Sequence, residues 1–388
     1  MRGSWAGVAR IVLVAANLRA AIAALAPVLP QVRDDLGLTR GTAGLLTTVP
    51  VLCFGLLAPA AGMLGRRFGS DRVLFAGLLA IAVGVAVRSQ GTAYAAFAGT
   101  VVLGLGITVG NVVVPPVVKR DFPAHTGAVT SAYTASLTGG AAVAAAATAP
   151  LALSAGLGWR IGLLVWALPA LVAAAVWLPR RRALPAPELV EETAQVPHGR
   201  VWRSGVAWAI AAFMATQSLL FYAMTAWLPA LLQDGGVGAE PAGIALSEFS
   251  LVGIAGSLAV PFVGRRVPHR VLGVAVAGLW CVSLVGLLTA RGAYPVWTTV
   301  SGLAQGAGIA LALTFVVDRA GSARTAHSLS GMVQGVGYVF AATGPFVLGS
   351  LRDAAGSWSA PLWALLAVTL CLSVFAVLTG RPPERARR

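Results

Sequence analysis

VARIVLVAANLRAAIAALAPVLP, residues 8–30, is the stretch from which the rest of the chain is read. Its interior is apolar apart from Asn17 and Arg19. At the helical rise it is long enough to cross a bilayer core of about 30 Å. Arg19 lies about 16 Å into such a helix, close to the midplane. An arginine there costs at least ~2.5–3.5 kcal/mol on insertion scales. It therefore calls for a carboxylate partner, a water-filled cavity or an anion.

Composition extends that reading to the whole chain. The 388 residues are 57% hydrophobic and 11% charged, with mean hydropathy +0.82. A soluble protein of this size carries roughly 25% charged residues, so the composition is that of a polytopic membrane protein whose first partner is the lipid bilayer. The net charge of +15 would suit nucleic acid, but the basic residues alternate from loop to loop, which excludes that partner. Cys53, Cys281 and Cys371 each sit in an apolar run without disulfide or metal spacing. The first apolar run is too long for a signal-peptide core and is expected to stay as a helix.

Twelve apolar runs of spanning length follow one another: 8–30, 41–64, 73–90, 93–118, 126–150 and 159–179, then 204–232, 241–263, 271–290, 294–317, 327–350 and 359–379. Short turns join most of them. The exception, RRRALPAPELVEETAQVPHGRVWR at 180–203, carries prolines and half of the glutamates and reads as a linker between an N-terminal half (1–179) and a C-terminal half (204–388). Of the 28 Lys and Arg residues, 21 fall on the loops that share a side with the linker, 6 on the opposite loops, and Arg19 lies within a span. The positive-inside rule then puts the linker and both termini in the cytoplasm, with the protein in the plasma membrane.

The halves repeat at an offset of 199. Leu29-Pro30 matches Leu228-Pro229, Ala43-Gly44 matches Ala242-Gly243, Gly65-Arg66-Arg67 matches Gly264-Arg265-Arg266, and Arg120 matches Arg319. The LP pairs are expected to close the first helix of each half. An even number of spans separates the copies, so they are parallel repeats related by an axis along the membrane normal. The fold class expected is all-α, twelve transmembrane helices in two parallel six-helix halves.

That layout resembles the major facilitator superfamily. Particular stretches resemble its cyanate permease and 2-nitroimidazole transporter branch. They are NLRAAIAALAPVLPQVRDDLGL (17–38), RRFGSDR (66–72) and GLGITVGNVVVPPVVKRDFP (104–123) in the first half. In the second they are QSLLFYAMTAWLP (217–229), GSARTAHSLSGMVQGVGY (321–338) and GPFVLGSLRDAAGSW (344–358). The superfamily loop after the second span has an aspartate near its start, where this chain has Arg66. The antiporter Gly-Pro signature is absent from TGGAAVAAAATAP (138–150). The resemblance marks Arg66, Arg67, Gly69, Arg72, Arg265 and Arg266 as gating-loop positions; by charge alone the arginines among them are topology determinants.

Candidate binding residues follow from helical faces. A guanidinium facing a central cavity binds anions, and the resemblance implies that the first helix lines one. Asn17 is about 200° round the helix from Arg19, so it is expected to bond a neighbouring helix instead. Repeat symmetry carries the Arg19 face to Ser218, Phe221, Tyr222 and Thr225, with Gln217 at its edge. In the fourth span Gly104, Thr108 and Asn111 form a small polar stripe, readable as close helix packing or as substrate contact. Pro115-Pro116 should kink its end. Gln334 and Tyr338 share a face of the eleventh span, and Gln305 is the polar residue of the tenth. Glu248, a carboxylate about two turns inside the eighth span, is the proton-coupling candidate.

The function expected is secondary active transport of a small solute by alternating access, with the resemblance implying a cyanate-like anion or a small nitroaromatic. The rival within transport is proton-driven efflux of a neutral drug-like compound through Glu248; a transporter-derived membrane sensor is the second. An enzyme is disfavoured: there is no Walker loop, no HExxH and no metal-spaced histidine pair. No cofactor or metal is expected, and a monomer is expected to suffice.

Overall fold

The computed structural model describes residues 5–178, 199–319 and 323–379; residues 180–198 of the expected linker lie outside the described residues. Twelve helical spans are long and apolar enough to cross a membrane, as the runs of the sequence require. In the N-terminal half they are α1 (Trp5–Asp35), α2 (Arg40–Phe68), α3 (Ser70–Arg88), α4 (Ala93–Asp121), α5 (Pro123–Ser154) and α6 (Gly158–Val176). In the C-terminal half they are α7 (Gly205–Gln233), α8 (Ala239–Val263), α9 (His269–Thr289), α10 (Arg291–Arg319), α11 (Ser328–Ala355) and α12 (Ser359–Thr379). The fold is all-α, with the two halves in parallel.

Local chemistry sets the helix ends. Thr39, Thr92 and Ser204 cap α2, α4 and α7, each accepting the backbone N–H three residues on. Gly69, at φ +87°, turns the chain directly from α2 into α3, a backbone that favours glycine. The prolines behave differently from expectation. Pro30 sits in the first turn of a renewed helix, Leu29–Asp35, after a 3-10 turn at Ala26–Val28. Pro229 lies inside a helix that continues to Gln233. Neither closes its span: Pro30, in a first turn, forfeits an N–H that had no partner anyway, and the helix carries on past Pro229. α4 stays helical through Pro115 and Pro116 to Asp121. Arg88 is the last residue of α3 and is 2% exposed.

The halves meet at one end and part at the other. The end that carries Trp5, Phe68, Asp121, Gly205 and Thr379 is here the terminal face, and its opposite the far face. At the far face α2 lies against α11: a Cβ on Gly44 would meet the backbone carbonyl of Pro345, and one on Gly41 would meet Ser350 Oγ. α5 lies against α8 in the same way, with Gly243 on the carbonyl of Ala145. Gly44 and Gly243 are the repeat pair, so the same device closes both seams. Across the seams Thr48 Oγ1 donates to the Ala342 carbonyl at 2.6 Å, and Gln233 Nε2 to the Pro27 carbonyl at 3.0 Å. Charges add a lock: Asp234 accepts from Arg40 of the other half at 3.2 Å and from Arg352 at 3.1 Å. Arg40 also lies 3.7 Å from Asp353, whose carboxylate accepts the Gly41 N–H at 2.9 Å.

Nothing comparable joins the halves at the terminal face among the described residues. Cβ atoms on Gly127, Gly139 and Gly331 would meet open space. Arg66, Arg67, Arg72, Arg265 and Arg266 are exposed. Arg67 stacks on its neighbour Phe68 and Arg265 on Phe262. Among the described residues, ionic contacts there include Arg120 with Asp71 and Asp121, and His269 with Asp318, each within one half.

Candidate functional site

The splayed halves enclose a cavity of about 500 Å³ that opens toward the terminal face. Its floor is where the helices converge, and Arg19 stands there on α1. Among the described side chains lining it, Arg19 alone carries a charge. Among the described residues the guanidinium has no carboxylate within salt-bridge range and no hydrogen bond; its one contact of note is the ring of Phe221, 5.4 Å from Cζ to centroid. The phenol groups of Tyr133, Tyr222 and Tyr338 are all near enough to feel its charge. Among the described residues the Tyr222 and Tyr338 hydroxyls make no hydrogen bond, whereas Tyr133 donates to Asn111 Oδ1 at 3.3 Å.

The opposite wall is aromatic. Phe54 meets Tyr338 edge-on at 4.7 Å, Tyr338 meets Tyr222 at 6.3 Å, and Tyr222 meets Phe221 at 4.9 Å. Behind this wall Phe221 stacks on Phe249, and Phe249 lies against Trp280. Hydroxyls of α5 and α8 line the mouth. Ser131, Thr134, Ser250 and Ser257 all give their protons to carbonyls four residues back in their own helices. They face the cavity as acceptors only. Arg19 and the phenols of Tyr222 and Tyr338 supply donors at its floor, and the Gln305 amide and the unpartnered Thr225 hydroxyl also line the cavity.

The face argument places some residues correctly and misplaces others. Arg19, Asn111, Phe221, Tyr222, Thr225, Gln305 and Tyr338 line the cavity. Ser218 does not: it is 1% exposed and its hydroxyl has no partner. Arg19 reaches the cavity because its side chain is long, and a serine at the equivalent place on α7 stays buried. Gln217 is also fully buried; it donates to the Gln305 carbonyl at 3.1 Å and accepts from Trp280 Nε1 at 3.1 Å. Thr108 turns back onto the Gly104 carbonyl at 2.8 Å and is buried. Gly104 serves close packing, for a Cβ there would come within 3.0 Å of Pro50 Cα. Gln334 donates to Ser330 at 2.8 Å, outside the lining. Asn17 binds the carbonyls of Leu13 and Pro169, as its face requires.

Glu248 stands apart from the cavity. It accepts from Thr298 Oγ1 at 2.9 Å and from Thr299 Oγ1, both on α10. Helical spacing alone could not tell this side of α8 from the cavity side. Phe54, Tyr133 and the α5 hydroxyls line or adjoin the site without having been singled out from sequence. The run Thr130, Ser131, Thr134, Thr138 had the signal, hydroxyls recurring on one helical face.

The comparisons agree with this geometry. Residues 11–342 match the Major Facilitator Superfamily model. The 2-nitroimidazole transporter of Escherichia coli (strain K12) is 39% identical over 379 residues, 97% of this chain and 96% of that protein. The cyanate transport protein CynX of the same organism is 31% identical over 373 residues, 96% and 95% of the two chains. The crystal structure of the nucleoside transporter NupG (D323A mutant) superposes with a TM-score of 0.80 at 12% identity, covering 96% of this chain and all of that one. The chain belongs to the major facilitator superfamily, a multi-pass transporter of small solutes.

Proposed function

We propose that this member of the superfamily moves a small planar anion, or a solute with an exposed nitro-like dipole, across the plasma membrane by alternating access. Residues 1–179 and 204–388 act as the two rocking bodies, joined by 180–203 on the cytoplasmic side, and one chain suffices because it builds the whole cavity. The basic loops make the terminal face cytoplasmic, so the state described is open inward. The observation that carries the reading is Arg19: a permanent cation in the cavity floor, with no ionic partner among the described residues and neutral donors around it. The donors select electron-rich ligand atoms, and the lack of any lining carboxylate disfavours cations. Cyanate and 2-nitroimidazole, named for two relatives, are small and present such atoms. The aromatic wall suits a flat ligand.

Arg19→Gln tests this directly. Removing an unpaired cation leaves nothing stranded, so abundance and melting temperature should stay at the wild-type level. Binding should weaken by about 10- to 100-fold, the loss of a charge-assisted bond worth roughly 1.5–3 kcal/mol. Arg19→Lys restores the charge without the planar fork and should rescue only in part. Thermal shift and flux with cyanate, 2-nitroimidazole and 4-nitrobenzoate are the measurements. An Arg19→Gln protein that folds poorly yet still transports would make Arg19 a structural residue.

A further inference from the structure

Alternating access requires a state in which the cavity is shut from both sides. In the state described here water reaches Arg19 through the open terminal face, and its charge is tolerated. Closing that face removes the water and leaves the guanidinium near mid-membrane. The groups that face it are then Phe221 and the phenols of Tyr133, Tyr222 and Tyr338, with Asn111 beside Tyr133, all neutral. Among the described residues no carboxylate or histidine lines the cavity. Glu248, the acid nearest in sequence logic, is held by Thr298 and Thr299 on α10. Arg19 itself cannot shed its proton. A bound anion is thus the one available counter-charge.

We infer that the protein is an obligate anion exchanger: the loaded carrier crosses the closed state neutral, and the return leg needs a second anion from the other side. The inference rests on the anion reading proposed above. An empty carrier would take a bare arginine through the closed state. At the insertion cost of such a residue this slows the crossing by roughly 10²-fold. One monovalent anion moves each way, so the cycle transfers no net charge and consumes no proton.

The test uses the full chain in proteoliposomes at pH 8, with [14C]cyanate and [14C]4-nitrobenzoate as probes in potassium gluconate. Valinomycin clamps the potential, so that charge build-up does not itself stop net flux. Vesicles loaded with the same unlabelled anion should take up label at least ~30-fold faster than vesicles without it, in keeping with the bare-charge cost. Glu248→Gln should leave this exchange unchanged. Net uptake within about threefold of exchange, or a pH gradient that drives net uptake as fast as exchange, overturns the inference while leaving the anion reading intact. Loss of exchange in a well-folded Glu248→Gln protein also overturns it, because a protein carboxylate would then be the counter-charge. If neither probe moves in either format, the anion reading fails and the inference with it.

Discussion

Leu18 and Gln217 hold the same place in the two halves, 199 residues apart, and both are fully buried. Leu18 lies against Gly110 and Gln217 against Gly308, two glycines whose Cβ atoms would collide with those side chains. The frame is shared and the chemistry is not. In the N-terminal half the next residue is Arg19, which brings the charge to the cavity. In the C-terminal half the next is Ser218, and the wall is instead made by Phe221 and Tyr222, repeat mates of Ile22 and Ala23. Both members of each pair line the cavity. α2 and α8 divide likewise, with Phe54 facing the cavity opposite its mate Gly253. A duplicated scaffold thus fixes where side chains point, while divergence puts the cation on one half and most of the rings on the other. Neither half alone holds a complete site.

The symmetry of the frame can be broken at its seams. Gly44→Ala and Gly243→Ala each place a Cβ against a backbone carbonyl of the other half. Overpacking of this kind costs typically ~1–3 kcal/mol, enough to shift the closed-to-open ratio of the far face by roughly 10- to 100-fold. Both variants should lose most transport. A lone cysteine at Thr225, in a background lacking Cys53, Cys281 and Cys371, should become open to an impermeant thiol reagent from the far side. If one variant is inert and the other disabled, the two seams are not equivalent.

Asymmetry within the frame is tested next. Gln217→Leu gives the C-terminal half the residue of its counterpart, and leaves the Trp280 indole N–H without its acceptor. A melting curve in detergent should show a loss of about 1–2 kcal/mol, with transport per folded molecule unchanged. A fall in affinity at full stability would place Gln217 in the site. Phe221→Leu removes the ring beneath Arg19 and one link of the aromatic wall. It should weaken binding of 4-nitrobenzoate by about 2- to 12-fold, the value of an aromatic contact beyond its area, and leave cyanate little changed.

The smallest effect concerns the charged lock. Asp234→Asn deprives Arg40 of one of its two partners in the other half, yet the carboxylate is partly exposed and Arg40 keeps the second, Asp353. Exposed pairs are worth ~0.2–1 kcal/mol, so outward opening should become easier by less than about fivefold. The matching change Asp71→Asn breaks a contact internal to one half and should not move that equilibrium. Transport rates and far-side labelling of the two variants, measured together, separate the seam from the scaffold.

Much of this was legible in the chain before any coordinates. Run length and hydropathy set the number of spans, because backbone polar groups in lipid must be satisfied inside helices. The 199-residue offset set the two halves, and Arg19 announced the site because a mid-membrane cation is expensive. Repeat symmetry also carried Phe221 and Tyr222 to the cavity. It failed for Ser218 and Gln217, and the polar stripe of the fourth span failed for Thr108, where side-chain length and the choice of hydrogen-bond partner decide whether a residue on the right face reaches the opening. Depth within the span did not show what Glu248 touches, since its neighbours on α10 are 50 residues away in sequence. The tertiary structure alone decided which face is shut, since that depends on backbone contacts between Gly44, Gly243 and carbonyls of the opposite half. It also left Arg19 without a carboxylate: pairing is a matter of distance across the bundle, which the order of residues along a helix does not encode.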